Sequence, residues 1–165
     1  MIIKIDITQN AIREAHEYQA RVLNTSIKYS PNYTNLSEKD RFAIGYLGEW
    51  AFNEYLLEND VDGHWNPKAD GIPDEADFFL KGQKVDIKTG SNINYQLLMF
   101  PEAQFLKSKK DIYVGVILDL LHKVAYIHGY ALKSTIQRLK PKDYGKNIPT
   151  LAIKLSSLKE ISEII

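Results

Sequence analysis

The sequence predicts a single α/β domain in which helices cover a mixed β-sheet. Its 165 residues suit one domain with a core of its own. Two amphipathic helical patterns come first in the chain, and several runs with the character of strands follow them. With 44% hydrophobic and 25% charged residues, the composition is that of an ordinary globular protein. Together these three observations predict a mixed sheet covered by helices.

The first helix is expected over residues 9–24, where Thr8 or Asn10 can serve as its N-cap. Apolar residues recur there at the spacing of one helix face, and the predicted buried stripe is Ile12, Ala15, Tyr18 or Gln19, and Val22. Residues 25–36 are expected to form the loop that follows this helix.

The second helix is the most regular pattern in the chain. Ser37 followed by Asp40 resembles a capping box, from which the helix is expected to run to about Asn59. Its predicted buried face consists of Ile44, Leu47, Ala51 and Tyr55. Residues 60–75 contain two glycines and two prolines, and they are therefore expected to form a loop.

The second half of the chain is expected to supply the sheet. Strands are predicted at residues 77–80, 84–88, 111–119 and 124–131, with a further short strand at 151–155. Helices are predicted at residues 102–110, where Pro101 takes the first helical position, at 131–140, and at the C-terminus after a cap formed by Ser157 and Glu160.

The composition excludes several classes of site. Because the chain has no cysteine, thiol catalysis, iron–sulfur clusters and zinc fingers are excluded, and its four histidines include no pair four residues apart that would suit a zinc hydrolase. Any catalytic metal must therefore be bound by oxygen atoms. No apolar run approaches the roughly 18 residues of a membrane span, and the N-terminus lacks the pattern of a signal peptide, so a cytosolic protein without a membrane partner is expected.

Charge is divided unevenly along the chain, although the formal net charge is zero. Residues 1–80 contain 7 Lys/Arg against 14 Asp/Glu, and residues 81–165 contain 14 against 7. An acidic half beside a basic half suits a site that combines a divalent cation with a phosphate polymer, because the two require side chains of opposite sign. Lysines that merely solvate helix surfaces explain the same asymmetry equally well.

The predicted hairpin of residues 77–88 carries the most informative charges. A two-residue turn at Lys81-Gly82 would set Asp77 opposite Asp86. One face would then hold Asp77, Phe79, Lys84, Asp86 and Lys88, and the other would be an apolar core face of Ala76, Phe78, Leu80, Val85 and Ile87. Like charges directly opposite each other destabilise a sheet, so this pair of aspartates favours a bound divalent cation. The alternative is a solvated sheet face with a local ion pair.

Two further features bear on this aspartate pair. The triplet [Asp/Glu]-X-Lys occurs once in the chain, as Asp86-Ile87-Lys88. Glu49 falls at the inner edge of the apolar arc of the second predicted helix, and its alternative is a boundary glutamate with its carboxylate in solvent. Gly45 and Gly48 in that helix each cost roughly 1 kcal/mol relative to Ala, which close approach to a sheet or a substrate would explain.

In order and spacing, Glu49, Asp77 and Asp86-Ile87-Lys88 resemble the motifs of the PD-(D/E)XK phosphodiesterases, which include restriction endonucleases, junction resolvases and repair or phage nucleases. The resemblance covers residues 38–135. It implies one domain with a restriction endonuclease-like core, preceded by the helix at 9–24 and followed by a C-terminal extension at 136–165. No proline precedes Asp77. Pro73-Asp74 supplies the literal pair and leaves Asp74 as a second candidate, but Asp77 is preferred because it opens the apolar strand.

This resemblance implies a metal-dependent DNA endonuclease that hydrolyses phosphodiester bonds to 5′-phosphate and 3′-hydroxyl ends. Asp77, Asp86 and the backbone carbonyl of Ile87 would bind Mg²⁺, for which Mn²⁺ would substitute, and Glu49 would contact that ion through water or bind a second one. Lys88 would orient or deprotonate the attacking water and stabilise charge on the phosphoryl group.

The basic residues near the motif are candidate contacts to DNA phosphates, namely Lys107, Lys109, Lys110, Lys133, Arg138, Lys140 and Lys142. Trp65 is expected to fold onto its own domain rather than to stack on bases. By resemblance the partner is DNA and the protein is a homodimer. The alternative is a non-catalytic nucleic-acid-binding or assembly protein with the same fold, against which the intact set of four site residues argues. A third interpretation is an α/β domain with a fortuitous motif.

Overall fold

The computed structural model of the protein describes residues 1–23, 38–65, 67 and 75–165. In that part of the chain the strands are β1 (Ile3–Asp6), β2 (Phe78–Leu80), β3 (Gln83–Gly90), β4 (Leu97–Pro101), β5 (Ile112–Asp119), β6 (Val124–Leu132) and β7 (Thr150–Lys154). The helices are α1 (Gln9–Leu23), α2 (Glu38–Glu58), α3 (Glu102–Lys107) and the short α4 (Lys133–Ile136). Two 3₁₀ turns, Leu155–Ser157 and Ile161–Glu163, follow β7. The fold is mixed α/β, as the sequence predicts.

A five-stranded sheet with the strand order β1-β6-β5-β3-β2 forms the centre of the fold. Strands β3 and β5 run parallel, whereas the other neighbours in this sheet are antiparallel. A parallel pair requires a long crossover, and β4 and α3 lie in it. Strand β3, which carries the Asp-X-Lys triplet, therefore lies between β2 and β5.

Helix α2 covers one face of this sheet, and α1 packs against α2. Val85 and Ile87 of β3 are buried in the core on that face, together with all four residues predicted for the buried face of α2. Gly48 lets α2 approach β3 closely, since a Cβ there would fall 1.9 Å from Thr89 Oγ1. The predicted close approach is confirmed for Gly48. A Cβ at Gly45 would meet no surrounding atom of the described residues within 4 Å, so close packing does not explain that glycine.

The opposite face of the sheet is covered by a two-stranded antiparallel ribbon of β4 and β7, together with α3 and α4. These elements and the central sheet enclose a second apolar core, formed by Leu98, Phe100, Phe105, Tyr113, Ile117, Ala131, Ile136, Leu151, Ile153 and Leu155. Tyr113 of β5 is the register neighbour of Asp86 on β3. Neighbours in register share a face, so the charged residues of β3 lie beside this second core.

The β2–β3 hairpin has the register that the sequence predicts. Leu80 pairs with Gln83 across a two-residue turn at Lys81 and Gly82, which both have positive φ. Two positive φ values are typical of the type I′ turn, whose twist matches that of the flanking strands. The five residues predicted for the apolar face are all buried, and Phe79 on the other face is exposed.

The N-terminal helices largely follow the prediction. The Thr8 hydroxyl accepts a hydrogen bond from the Ala11 N–H at 3.1 Å and so caps α1. Of the predicted stripe on α1, Ala15, Gln19 and Val22 are buried. The predicted cap at Ser37 and the loop at 25–36 lie outside the described residues. Residues 60–65, 67 and 75 belong to no helix or strand, as predicted for their loop.

The C-terminal part of the chain differs most from the prediction. The helix predicted at 131–140 is reduced to the single turn α4, because β6 continues its pairing with β5 through Leu132. The predicted final helix is wrong. Lys159 exchanges backbone hydrogen bonds with Tyr130 at 2.9 and 3.0 Å, and a residue in such a bridge has the extended backbone that a helix excludes.

Three smaller differences complete the comparison. Strands β1 and β4 correspond to no predicted element. Helix α3 ends at Lys107 because Ser108 has extended backbone, with φ −65° and ψ 138°. Pro101 ends β4 and precedes the helix as its N-cap, instead of taking the first helical position.

Among the described residues, no helix has both the length and the apolar character needed to cross a membrane.

Candidate active site

Two aspartates from the hairpin form the acidic part of the candidate site. Asp77 directly precedes β2, and it lies opposite Asp86 of β3 when the register is extended by one residue. Asp77 Oδ2 accepts a hydrogen bond from the Ile87 N–H at 2.6 Å. The side chains of Asp77 and Asp86 are 18% and 13% exposed. These carboxylates are therefore mostly buried, which disfavours the interpretation as a solvated sheet face.

Two lysines contact this pair of aspartates. Lys88 lies two residues after Asp86 on the same face, and its Nζ is 2.6 Å from Asp86 Oδ2. Lys110 comes from the connection between α3 and β5, and its Nζ is 3.7 Å from Asp86 Oδ1 and 4.0 Å from Asp77 Oδ1. The Lys88 side chain is 42% exposed, whereas that of Lys110 is 13% exposed. Lys88 thus reaches solvent, and Lys110 is enclosed beside the carboxylates.

The electrostatics of the site favour an additional positive charge. Burial and the negative charge of Asp86 raise the pKa of Asp77 from 3.8 to about 7, although Lys110, the Ile87 N–H and Lys88 act in the opposite direction. Burial lowers the pKa of Lys88, but the charges of Asp86 and Asp77 outweigh burial, so that the pKa of Lys88 is raised. A further cation beside Asp77 would return the pKa of its carboxyl group toward the ordinary value.

Tyr113 forms the buried side of the site next to Asp86. Its hydroxyl donates a hydrogen bond to Ser108 Oγ at 2.9 Å. Burial raises the pKa of Tyr113, so the phenol is neutral near pH 7 and can act as a donor. Sequence reasoning did not single out this residue. Alternation along β5, combined with the parallel pairing to β3, is the signal that could have placed it on the face of Asp86.

Glu49 is held by a tryptophan from the loop that follows α2. Glu49 Oε2 accepts a hydrogen bond from Trp65 Nε1 at 3.0 Å. The Trp65 ring stacks on that of Phe78 in β2, with the ring centroids 6.1 Å apart. Trp65 therefore packs on its own domain, as predicted, and connects Glu49 to the hairpin. Helix α2 covers the face of the sheet opposite to Asp86, so Glu49 belongs to the other side of the hairpin.

The donor atoms of the site suit a hard divalent cation. Asp77 and Asp86 supply carboxylate oxygens, and the resemblance of the motifs adds the backbone carbonyl of Ile87, whose N–H donates to Asp77 Oδ2. Oxygen ligands of this kind are those that Mg²⁺ and Ca²⁺ prefer. Within the described part of the chain, no three His, Asp or Glu side chains lie together as a metal-binding group. The direct carboxylate ligands available here are therefore the two aspartates of the hairpin.

The basic residues predicted to contact phosphate fall into two groups. The exposed group consists of Lys107, Lys109, Arg138, Lys140 and Lys142. Lys110 and Lys133 instead have partners within the fold. Lys110 contacts the aspartates, while Lys133 Nζ donates to the Ser108 carbonyl and lies 5.8 Å from the centroid of the Phe105 ring. The exposed group alone faces solvent in the manner expected of phosphate contacts.

Comparison with known proteins adds no assignment, since no family model matches the chain and neither a curated protein nor a solved structure shows significant similarity to it. The second aspartate candidate, Asp74, lies outside the described residues. Function is therefore inferred from the geometry around Asp77, Asp86, Lys88 and Lys110 and from the resemblance of the motifs.

Proposed function

We propose that the protein is a metal-dependent DNA endonuclease with a restriction endonuclease-like core. The observation that carries this proposal is the mostly buried pair Asp77 and Asp86, with the Lys88 ammonium 2.6 Å from Asp86 on the same face of the hairpin. Two carboxylates and one lysine at this spacing combine cation ligands with a group that can stabilise developing negative charge. The resemblance of the motifs to those of PD-(D/E)XK phosphodiesterases supports the same reaction.

In this proposal Asp77, Asp86 and the Ile87 carbonyl bind Mg²⁺, with Mn²⁺ as a substitute, whereas Glu49, on the other side of the hairpin, is left out of the metal site. The oxygen donors fit such an ion, and so does the raised pKa of Asp77, because two mostly buried carboxylates of like charge favour an added cation. When bound, the ion would lower the pKa of a coordinated water and offset charge on the phosphoryl oxygens.

Lys88 acts on the reacting phosphate in this scheme. Its raised pKa keeps the ammonium protonated near neutral pH, which favours charge stabilisation over proton abstraction. Because the side chain is 42% exposed, a phosphate could approach the ammonium while it stays beside Asp86. Attack by water forms the new P–O bond, and the bond to the 3′ oxygen breaks. The water gives one proton to solvent and the leaving 3′ oxygen takes one up from solvent, so that the products are a 5′-phosphate and a 3′-hydroxyl.

Binding of DNA is assigned to the exposed basic residues Lys107, Lys109, Arg138 and Lys140. Such lysines and arginines contact phosphates without regard to sequence, and they position a duplex over a site. A homodimer would present one site to each strand of the duplex.

One observation favours the alternative, a non-catalytic nucleic-acid-binding or assembly protein. Asp77, Asp86, Lys88 and Lys110 form a network in which two negative charges face two positive charges. A purely structural network of this kind needs neither metal nor substrate. Two observations favour the enzyme instead. A purely structural network would enclose Lys88 and keep the pKa of Asp77 near its ordinary value, whereas Lys88 is partly exposed and the pKa of Asp77 is raised.

Incubation with a panel of supercoiled, linear, branched and single-stranded DNA in Mg²⁺ buffer distinguishes the two functions. A nuclease cuts at least one substrate, stops when EDTA is added, and resumes cutting when Mg²⁺ or Mn²⁺ is restored. A binding protein slows the same DNA in a gel and leaves it intact. Intact DNA throughout the panel in both metals would refute the proposed activity.

A further inference from the structure

Lys110 bridges the two aspartates of the hairpin, whereas Lys88 contacts one of them. The Lys110 ammonium lies within 4.0 Å of the Oδ1 atoms of both Asp77 and Asp86. Lys88 contacts Asp86 through Oδ2, on the other side of that carboxylate. Lys110 is also the more enclosed of the two lysines, since its side chain is 13% exposed. Of these two lysines, Lys110 is therefore the one whose ammonium lies close to both carboxylates.

The connection that carries Lys110 is fixed to the hairpin. The Lys110 N–H donates to Ser108 Oγ at 3.2 Å, and the same oxygen accepts the bond from Tyr113. The Asp111 N–H donates to the Lys84 carbonyl, and Asp111 Oδ2 accepts from the Lys84 N–H, each at 2.8 Å. These bonds hold residues 108–111 against β3. The backbone of Lys110 is thus placed by the strand that carries Asp86, and its flexible side chain spans the rest of the distance.

A divalent cation and this ammonium compete for the same oxygens. Mg²⁺ and Ca²⁺ prefer oxygen ligands, and a cation held by these carboxylates would lie beside the Lys110 ammonium, whose Nζ is 3.7 Å from Asp86 Oδ1 and 4.0 Å from Asp77 Oδ1. Repulsion between the two cations favours withdrawal of the ammonium. A lysine has a long stem with several rotatable bonds, so its charged group can move while the backbone stays fixed.

We propose that Lys110 is a built-in counterion that neutralises the Asp77–Asp86 pair before a divalent cation binds, withdraws when the cation binds, and then contacts a phosphate of the DNA. The inference rests on the proposed function, because it assigns a further residue to the same site. The divalent cation and DNA both favour the withdrawn position of Lys110. Each ligand therefore changes the affinity for the other by the same factor. Through Lys110, DNA and the divalent cation therefore each raise the affinity for the other.

The first test is a calorimetric titration of DNA-free protein with Mn²⁺. It compares the wild type with Lys110→Met, which keeps most of the length of the stem and removes the charge. Lys109→Met is the matched control, because it removes the same charge from an adjacent, exposed position. We expect Lys110→Met to bind Mn²⁺ on the order of 10-fold more tightly than the wild type. Lys109→Met should stay within about twofold of the wild type, since an exposed charge is screened. Equal Mn²⁺ affinities of Lys110→Met and Lys109→Met would overturn the inference.

The second test uses the wild type alone and so remains decisive if Lys110→Met does not fold. Ca²⁺ serves as a non-catalytic cation, and its dissociation constant is measured with and without a saturating DNA duplex. We expect the duplex to tighten Ca²⁺ binding on the order of 10-fold. In a folded Lys110→Met protein this enhancement should be smaller. A duplex that leaves the Ca²⁺ affinity of the wild type unchanged contradicts the proposed exchange.

The two proposals fail in different ways. If the wild type and Asp86→Asn bind Mn²⁺ equally, the metal site itself is refuted, and the role of Lys110 falls with it. If the wild type cuts DNA and binds Mn²⁺ through Asp86, while Lys110→Met keeps the Mn²⁺ affinity of Lys109→Met, the nuclease function stands and the role of Lys110 is refuted.

Discussion

The two faces of strand β3 are buried by opposite means. On one face Val85 and Ile87 pack against α2, and removing their apolar surface from water stabilises the fold. On the other face Asp86 lies one residue along the strand, beside Tyr113 of the second apolar core. Burial there costs free energy, because carboxylates leave water and their lysine partners compensate incompletely. The comparison shows that the apolar face provides stability, whereas the charged face retains a costly arrangement that stability alone does not explain.

Replacement of Asp86 by Asn has the largest expected effect on the charged face. The change removes a proposed metal ligand while keeping the size of the side chain, so Mg²⁺-dependent cleavage should fall by a factor on the order of 10⁴. Circular dichroism should show the wild-type fold. Asp6→Asn, at a side chain that is 86% exposed, serves as the control and should cut at the wild-type rate. An Asp86→Asn protein that keeps the wild-type cleavage rate would remove the functional reason for the charged face.

Lys88→Ala separates catalysis from simple charge attraction on that face. Turnover should fall by a factor on the order of 10² to 10⁴, with DNA affinity little changed, because in the proposed mechanism the ammonium acts mainly on the reacting phosphate. Lys140→Ala should instead weaken DNA binding and reduce the salt dependence by about one counterion, with turnover at saturation nearly unchanged. Single-turnover rates in Mg²⁺ and binding in Ca²⁺ over a salt series provide the measurement. If Lys88→Ala behaves like Lys140→Ala, Lys88 is part of a basic surface.

Neighbouring phenylalanines on β2 test the same contrast through stability. Phe78 lies on the apolar face and is fully buried, whereas Phe79 on the other face is 39% exposed. Phe78→Ala should lower the free energy of unfolding by about 3 to 5 kcal/mol, since it leaves a cavity in the core. Phe79→Ala should cost less than about 1.5 kcal/mol. Urea denaturation of both variants gives these values, and equal losses would contradict the difference between the faces.

The pH dependence of stability provides the most specific test of the charged face. Since the pKa of Asp77 is raised from 3.8 to about 7, the folded metal-free protein holds a proton that the unfolded chain releases. This contribution, at most about 4 kcal/mol, is complete below pH 3.8 and is lost as the pH rises through 7. In EDTA, the melting temperature of the wild type should therefore fall between pH 5 and pH 8 relative to that of Asp77→Asn. A constant difference between the two proteins over this range would argue against the raised pKa.

The features that could be predicted from the sequence are those set by local spacing. Helical periodicity identifies the buried face of α2, and the turn at Lys81-Gly82 sets the register of the hairpin. From that register follow the opposition of Asp77 to Asp86 and the position of Lys88 on their face. The hairpin side of the candidate site is accordingly readable from a dozen consecutive residues.

The remaining features depend on pairings between distant parts of the chain. Strand β4 pairs with β7, about 50 residues later in the chain. Lys159, in the predicted final helix, instead forms a β-bridge with Tyr130. Lys110 has the charge of a phosphate contact, and the sequence contains no local signal that its side chain turns toward Asp86. The bond from Trp65 to Glu49 likewise depends on the path of a loop, which periodicity does not describe.

The position of Lys110 also has a consequence for the order of folding. A hairpin with a two-residue turn forms within about 1 to 10 μs, whereas the parallel pairing of β3 with β5 must first close a long loop. An early hairpin therefore sets Asp77 against Asp86 before Lys110 is in place. At that stage Lys88 is the lysine of the hairpin that contacts Asp86. Docking of β5 then brings Lys110 to the pair at the same moment as it supplies the backbone hydrogen bonds of the new strand. The repulsion between the two aspartates is thus reduced in the same step that pairs β5 with β3. Partly folded states in which the hairpin forms without β5 are therefore destabilised.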